Sequence, residues 1–144
     1  MSILSSLLGI ISDGTEAMLK KEEIRLQNAY KRLKTIHEVY YPKFKNEGCS
    51  PLLWFCRKDL EVARFYHTGG KEGYPANDEL GGWSLSSIDP RYVELKKSID
   101  EAEAKVKEME HAKGYEFIGI RKRLILYREL STGHELLFNE SNQI

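Results

Sequence analysis

Leu19, Leu26, Leu33 and Tyr40 recur every seven residues, with Tyr30 and His37 at the intervening places and Glu23 as the polar interruption. A seven-residue apolar repeat keeps one stripe of an α-helix facing one partner, so it constrains this chain more than any other feature. From residue 15 to residue 41 such a helix spans roughly 40 Å at ~1.5 Å per residue. Pro42 should end or kink it, because proline lacks an amide hydrogen and its ring crowds the preceding turn. The helical assignment is carried through that kink over residues 15–47.

A second seam lies downstream. Tyr92, Leu95, Ile99, Ala102, Val106 and Met109 alternate three and four apart without a break. They belong to a helix over residues 89–113, opened by Asp89-Pro90 and stopped by Gly114. Lys97–Glu101, Glu101–Lys105 and Glu103–Lys107 stand at i, i+4 on its outside, which predicts a solvated acidic and basic face. Two matching seams in one chain are expected to pair with each other, as a helical hairpin or bundle. Pairing between two copies, in a homodimer, is the alternative.

Between the seams, Ser50-Pro51 predicts a start for a buried helix over residues 50–68, carrying Leu52, Leu53, Phe55, Cys56, Leu60, Ala63 and Phe65. Gly69-Gly70 ends it. Residues 69–87, with five glycines and Pro75, read as a long loop, and loops of that length often carry function. Residues 1–12 place Ile3, Leu4, Leu7, Leu8 and Ile11 on one face of a short amphipathic helix. Residues 115–138 are rich in Ile, Leu, Phe and Tyr. The Phe117-Ile118-Gly119-Ile120 segment and the Thr132-Gly133 turn favour an antiparallel β meander, with strands at residues 115–120, 123–130 and 134–138. The expectation is one domain over residues 1–144, mainly α with a small C-terminal meander (α+β). A helical residues 115–138 would make it all-α.

The chain has 22 basic and 22 acidic side chains in 144 residues. That balance argues against bulk nucleic-acid binding, which draws on counterion release by a basic excess. Cys49 and Cys56 lie seven apart near a helix start and lack nearby histidines, so two free thiols are expected rather than a disulfide or metal site. No cofactor or metal is expected. No apolar run approaches the ~20 residues of a membrane span. Residues 3–11 lack the basic flank of a signal peptide, and the protein is read as cytoplasmic.

Chemical motifs are weak. Gly69-Gly70-Lys71 is followed by Glu72 and preceded by a helix, unlike a phosphate loop. His67 with Glu72, Asp78 and Glu79 offers acid–base groups without a specifying pattern. The leading expectation is therefore a non-enzymatic protein-interaction module, such as an inhibitor, chaperone or antitoxin-like binder. Its partner would be another protein, met by residues 71–83 with Tyr74 and Trp83 as anchors and Lys71 and Asp78 beside them. The runner-up is a nucleic-acid-binding regulator using Arg121, Lys122, Arg123 and Arg128, with Tyr115, Phe117 and Tyr127 as stacking rings. An enzyme with a site near His67 comes third.

Overall fold

The computed structural model of the protein describes residues 13–68 and 90–140, with the side chains of the first helix from Lys20 onward. The expected helix over residues 1–12 and the loop over residues 69–87 lie outside the described residues. Helix α1 spans Asp13–Thr35, passes through a π turn at Ile36–Tyr40 and continues as α2, Tyr41–Glu47. Helix α3 is Leu53–His67 and α4 is Pro90–Ala112. Strands β1 (Tyr115–Arg121), β2 (Leu124–Glu129) and β3 (Glu135–Phe138) close the chain. The protein is mainly helical with a small C-terminal antiparallel sheet.

The π turn explains why Pro42 does not end the helix. The amide of Tyr41 donates to the carbonyl of Ile36, five residues back. This wider loop makes room for the proline ring, which would otherwise crowd the carbonyl of Glu38. The chain then runs on helically to Glu47, and Gly48 breaks it with φ 74. Helix α3 starts later than Ser50-Pro51 predicts. Leu52 is its extended N-cap residue, with no side-chain cap bond, so Ser50 does not cap it.

On α1 the buried stripe is Leu26, Ala29 and Leu33, and Ile36 in the π turn extends it. Tyr30, expected in the seam, is 38% exposed. The shift arises because α1 packs against both α3 and α4, so its apolar face turns toward two neighbours. On α4 every seam residue is buried, from Tyr92 to Met109.

The two long helices do not form a hairpin. Tyr30 lies near Glu94, His37 meets Ser98 and Lys105, and Lys45 meets Glu108. Rising numbers on both sides mean that α1–α2 and α4 run parallel. Helix α3 runs against both, since Arg32 meets Asp59, Arg57 meets Glu110, and Arg64 meets Glu103. An extra helix between the seams reverses the direction that a simple hairpin requires. Among the described residues no helix is long and apolar enough to cross a membrane.

The sheet has strand order β1-β2-β3, with Phe117 opposite Tyr127 and Ile125 opposite Phe138. A bulge falls between Phe117 and Gly119. Gly114, at φ 88, ends α4 and turns the chain straight into β1, which packs back on that helix. This settles residues 115–138 as strands. Tyr115, Tyr127 and Phe138 touch ring to ring, and Phe117 meets Tyr127.

Candidate functional site

The first helix turns of α3 set Leu53, Cys56, Arg57 and Leu60 on its buried face. Spacing alone thus drives a guanidinium into the core, where it needs partners that compensate its charge. Arg57 finds them on α4. Its Nε donates to Glu110 Oε2 at 2.9 Å and its Nη2 to Glu110 Oε1 at 2.6 Å, a bidentate pair. Its Nη1 donates to Glu103 Oε2 at 2.6 Å and, more weakly, to Glu61 Oε1 at 3.4 Å. Arg64 adds contacts to Glu103 at 3.3 Å and Glu61 at 3.7 Å.

The sheet completes the arrangement. The Arg57 guanidinium lies over the Phe117 ring, 3.9 Å from its centroid. The Tyr127 hydroxyl donates to Glu110 Oε2 at 2.6 Å. Arg57, Glu110 and Tyr127 are fully buried. Three carboxylates (Glu61, Glu103, Glu110) face two guanidiniums (Arg57, Arg64), so the cluster holds one more acid than base. Burial and the adjacent carboxylate of Glu110 hold the Tyr127 hydroxyl protonated well above the usual phenol range. Burial pushes the Glu61 carboxyl up, while Glu103 ends below its ordinary value because Arg57 and Arg64 outweigh its own burial.

Glu103 is the acid that the sequence places wrongly. It is expected on a solvated face, yet it turns inward to two arginines. The i, i+4 pair that forms on α4 is Lys96–Asp100, at 2.8 Å. The signal for the buried cluster was present in the chain. Arg57 interrupts an apolar run at core spacing, and Glu110 follows Val106 by four residues on the same stripe.

The four cations of the basic C-terminal segment separate. Arg121, Lys122 and Arg123 are exposed at the β1–β2 turn. Arg128 is half-buried and neutralised, 3.4 Å from Glu116 and 3.8 Å from Glu135. Tyr115, Phe117 and Tyr127 form no stacking platform beside them. The strand register puts all three on the helix-facing side, where Phe117 is covered by Arg57 and Tyr127 is buried. Tyr74, Trp83, Lys71 and Asp78 lie outside the described residues.

The histidines play quieter parts. His67 is buried at the end of α3 with its ring 6.2 Å from that of Tyr92. Burial, and then the charge of Lys96, lowers its pKa below 6.5. Glu72, Asp78 and Glu79, expected beside it, lie outside the described residues. His37, in the π turn, accepts from Lys105 Nζ at Nδ1 (2.9 Å), so the proton of the neutral ring sits on Nε2, 3.3 Å from the Ser98 carbonyl. That tautomer faces the Ser98 hydroxyl, 3.4 Å away, with a donor, so His37 is not poised as its base. Cys49 is exposed and free, while Cys56 is free and buried, its thiol pushed up to about 12 by burial and by Asp59.

Among the described residues no group of three or more histidine, cysteine or acidic side chains is arranged to hold a metal. No protein-family model, curated protein or solved structure matches the chain.

Proposed function

We propose that this protein is a non-enzymatic interaction module that occupies the surface of another protein. The observation that supports this most is the combination of a locked scaffold with an unspent surface. The Arg57–Glu110–Tyr127 cluster fastens the sheet to two helices. The same sheet region leaves Ile120, Leu130, Leu136 and Leu137 exposed. Rigid presentation of apolar side chains lowers the entropic cost of association. Residues 71–83, with Tyr74 and Trp83 as anchors flanked by Lys71 and Asp78, are the proposed second contact. The small-binder roles of inhibitor, chaperone or antitoxin-like protein belong to this reading, as does self-association into a dimer.

The nucleic-acid reading keeps one favourable observation, the three exposed cations Arg121, Lys122 and Arg123. It loses Arg128 to Glu116 and Glu135, and its rings to the helix-facing side of the sheet, where Tyr127 is buried and Tyr115 and Phe117 are half-buried. A His67 enzyme draws least support, because that ring is buried against Tyr92.

The test is capture of a partner from the native host, its identification by mass spectrometry, and reconstitution from two purified proteins. Trp83→Ala should weaken the reconstituted complex while circular dichroism stays unchanged. Binding of oligonucleotides with a steep salt dependence, and no reconstituted protein complex, would sink this reading.

A further inference from the structure

The β1–β2 hairpin turns at Lys122 and Arg123, with Arg121 at the end of β1. All three side chains are exposed, and no ion pair joins any of them to another described residue. Elsewhere Arg32, Arg57, Arg64 and Arg128 each reach a carboxylate. In a chain whose charges sum to zero, the tip is a local concentration of uncompensated positive charge.

The backbone at the tip adds a second observation. Lys122 has φ 59, the single non-glycine among the described residues with positive φ. Two-residue hairpin turns ordinarily place glycine, asparagine or aspartate in that conformation, because a Cβ crowds the adjoining carbonyl. The sequence keeps a long cationic side chain where a glycine folds better. Conflicts between local preference and observed backbone gather where function requires them.

We infer that the Arg121-Lys122-Arg123 tip, with exposed Ile120 beside it, docks a carboxylate-rich surface of a partner protein. The inference rests on the protein-binding reading above and names the chemistry of the partner. Charge complementarity requires an acidic face. Three features fit a protein better than a phosphate polymer. The positive footprint is confined to a turn of roughly 10 Å, given ~3.3 Å per strand residue, whereas non-specific strand binders track a longer groove. Farther along the same sheet Glu116, Glu129 and Glu135 outnumber the one arginine among them, Arg128, and this net negative end would repel a phosphate backbone running across it. Ile120, 38% exposed, offers an apolar contact that phosphate does not use.

The experiment titrates the full chain, labelled for amide NMR, with an octaglutamate peptide and separately with octathymidylate. Octaglutamate should shift the amides of residues 120–123, and Arg121→Gln/Lys122→Gln/Arg123→Gln should weaken it at least ~10-fold, as expected when most of an electrostatic contact is removed. Lys122→Gly should weaken it several-fold yet melt about 2–6 °C higher, through relief of the turn. Tighter binding of octathymidylate at the tip would make it a phosphate site and overturn the inference. Silent tip amides, or a glycine variant that melts lower than the parent, would overturn it as well. Silent tip amides beside an intact reconstituted complex leave the protein-binding reading standing. Failure of that reading registers separately, as absence of the reconstituted complex.

Discussion

Taking a guanidinium out of water costs several kcal/mol, and a buried pair recovers this only when its geometry is good and every remaining donor is used. Arg57 comes close to that condition: four of its N–H donors reach Glu110, Glu103 and Glu61, and its face lies on the Phe117 ring. Removing one partner leaves a stranded charge. Arg57→Met should therefore lower the unfolding free energy by about 3–5 kcal/mol in urea titrations, and Glu110→Gln by a similar amount. The double variant Arg57→Met/Glu110→Leu should lose clearly less than the sum, since it strands neither charge. A cost for Arg57→Met within ~0.5 kcal/mol, typical of surface changes, would mean the cluster is solvated. A pH effect belongs to the same scale. His67 and His37 both have folded-state pKa values below 6.5, with burial the first cause in each. The unfolded chain then binds the proton better, so their stabilising contribution is complete above pH 6.5 and declines as pH falls below it. Urea midpoints measured from pH 7.5 to 5 should drop, and His67→Phe should flatten that drop. An unchanged slope in the variant would place the ring in solvent. The thiols separate similarly. Cys49 should react with a thiol reagent in the folded protein, and Cys56 only after denaturant is added, because its site is buried and its thiolate disfavoured.

Among the elements, α4 carries the plainest prediction. Ile99 is fully buried in the unbroken seam. Ile99→Ala should cost about 2–5 kcal/mol through lost transfer energy and the cavity left behind. A change within noise by calorimetry would show the seam open to water. This helix was legible in the sequence because its spacing, its Pro90 start and its Gly114 stop all agree. The strands were legible for a related reason: Gly133, at φ 77, sits where the turn demands it. Other features were hidden. A heptad pattern marks a stripe but carries no direction, so it could not tell a hairpin from two parallel helices with α3 against both. Pro42 announced a disturbance, yet whether a helix stops or widens depends on what the following residues pack against. Arg57 looked like one charge in an apolar run, and only the fold brings Glu110 and Tyr127 to it, 53 and 17 positions distant from Arg57 and Glu110 respectively.

Across the whole molecule, the cluster has the effect of a bolt between layers. Tyr127 and Phe117 belong to the sheet, Arg57 to α3, and Glu110 to α4, so none of these can leave without stranding the others. The described body should therefore unfold as one unit. Far-ultraviolet ellipticity, which follows the helices, and near-ultraviolet signal, to which the packed Tyr115 and Tyr127 of the sheet contribute, should give coincident urea transitions. Two separated transitions would show that the sheet melts by itself. The parallel course of α1 and α4 has a further consequence, in time. His37 and Lys105 touch across 68 positions of chain. At a synthesis rate of ~5–20 residues per second, a nascent α1 waits roughly 3–14 s for the helix that completes its cover. Until then, among the described residues, α3 is the helix that shields the stripe of Leu26, Leu33 and Ile36. The vulnerable period of this protein is its birth, and whatever accompanies the ribosome during those seconds meets its most adhesive surface.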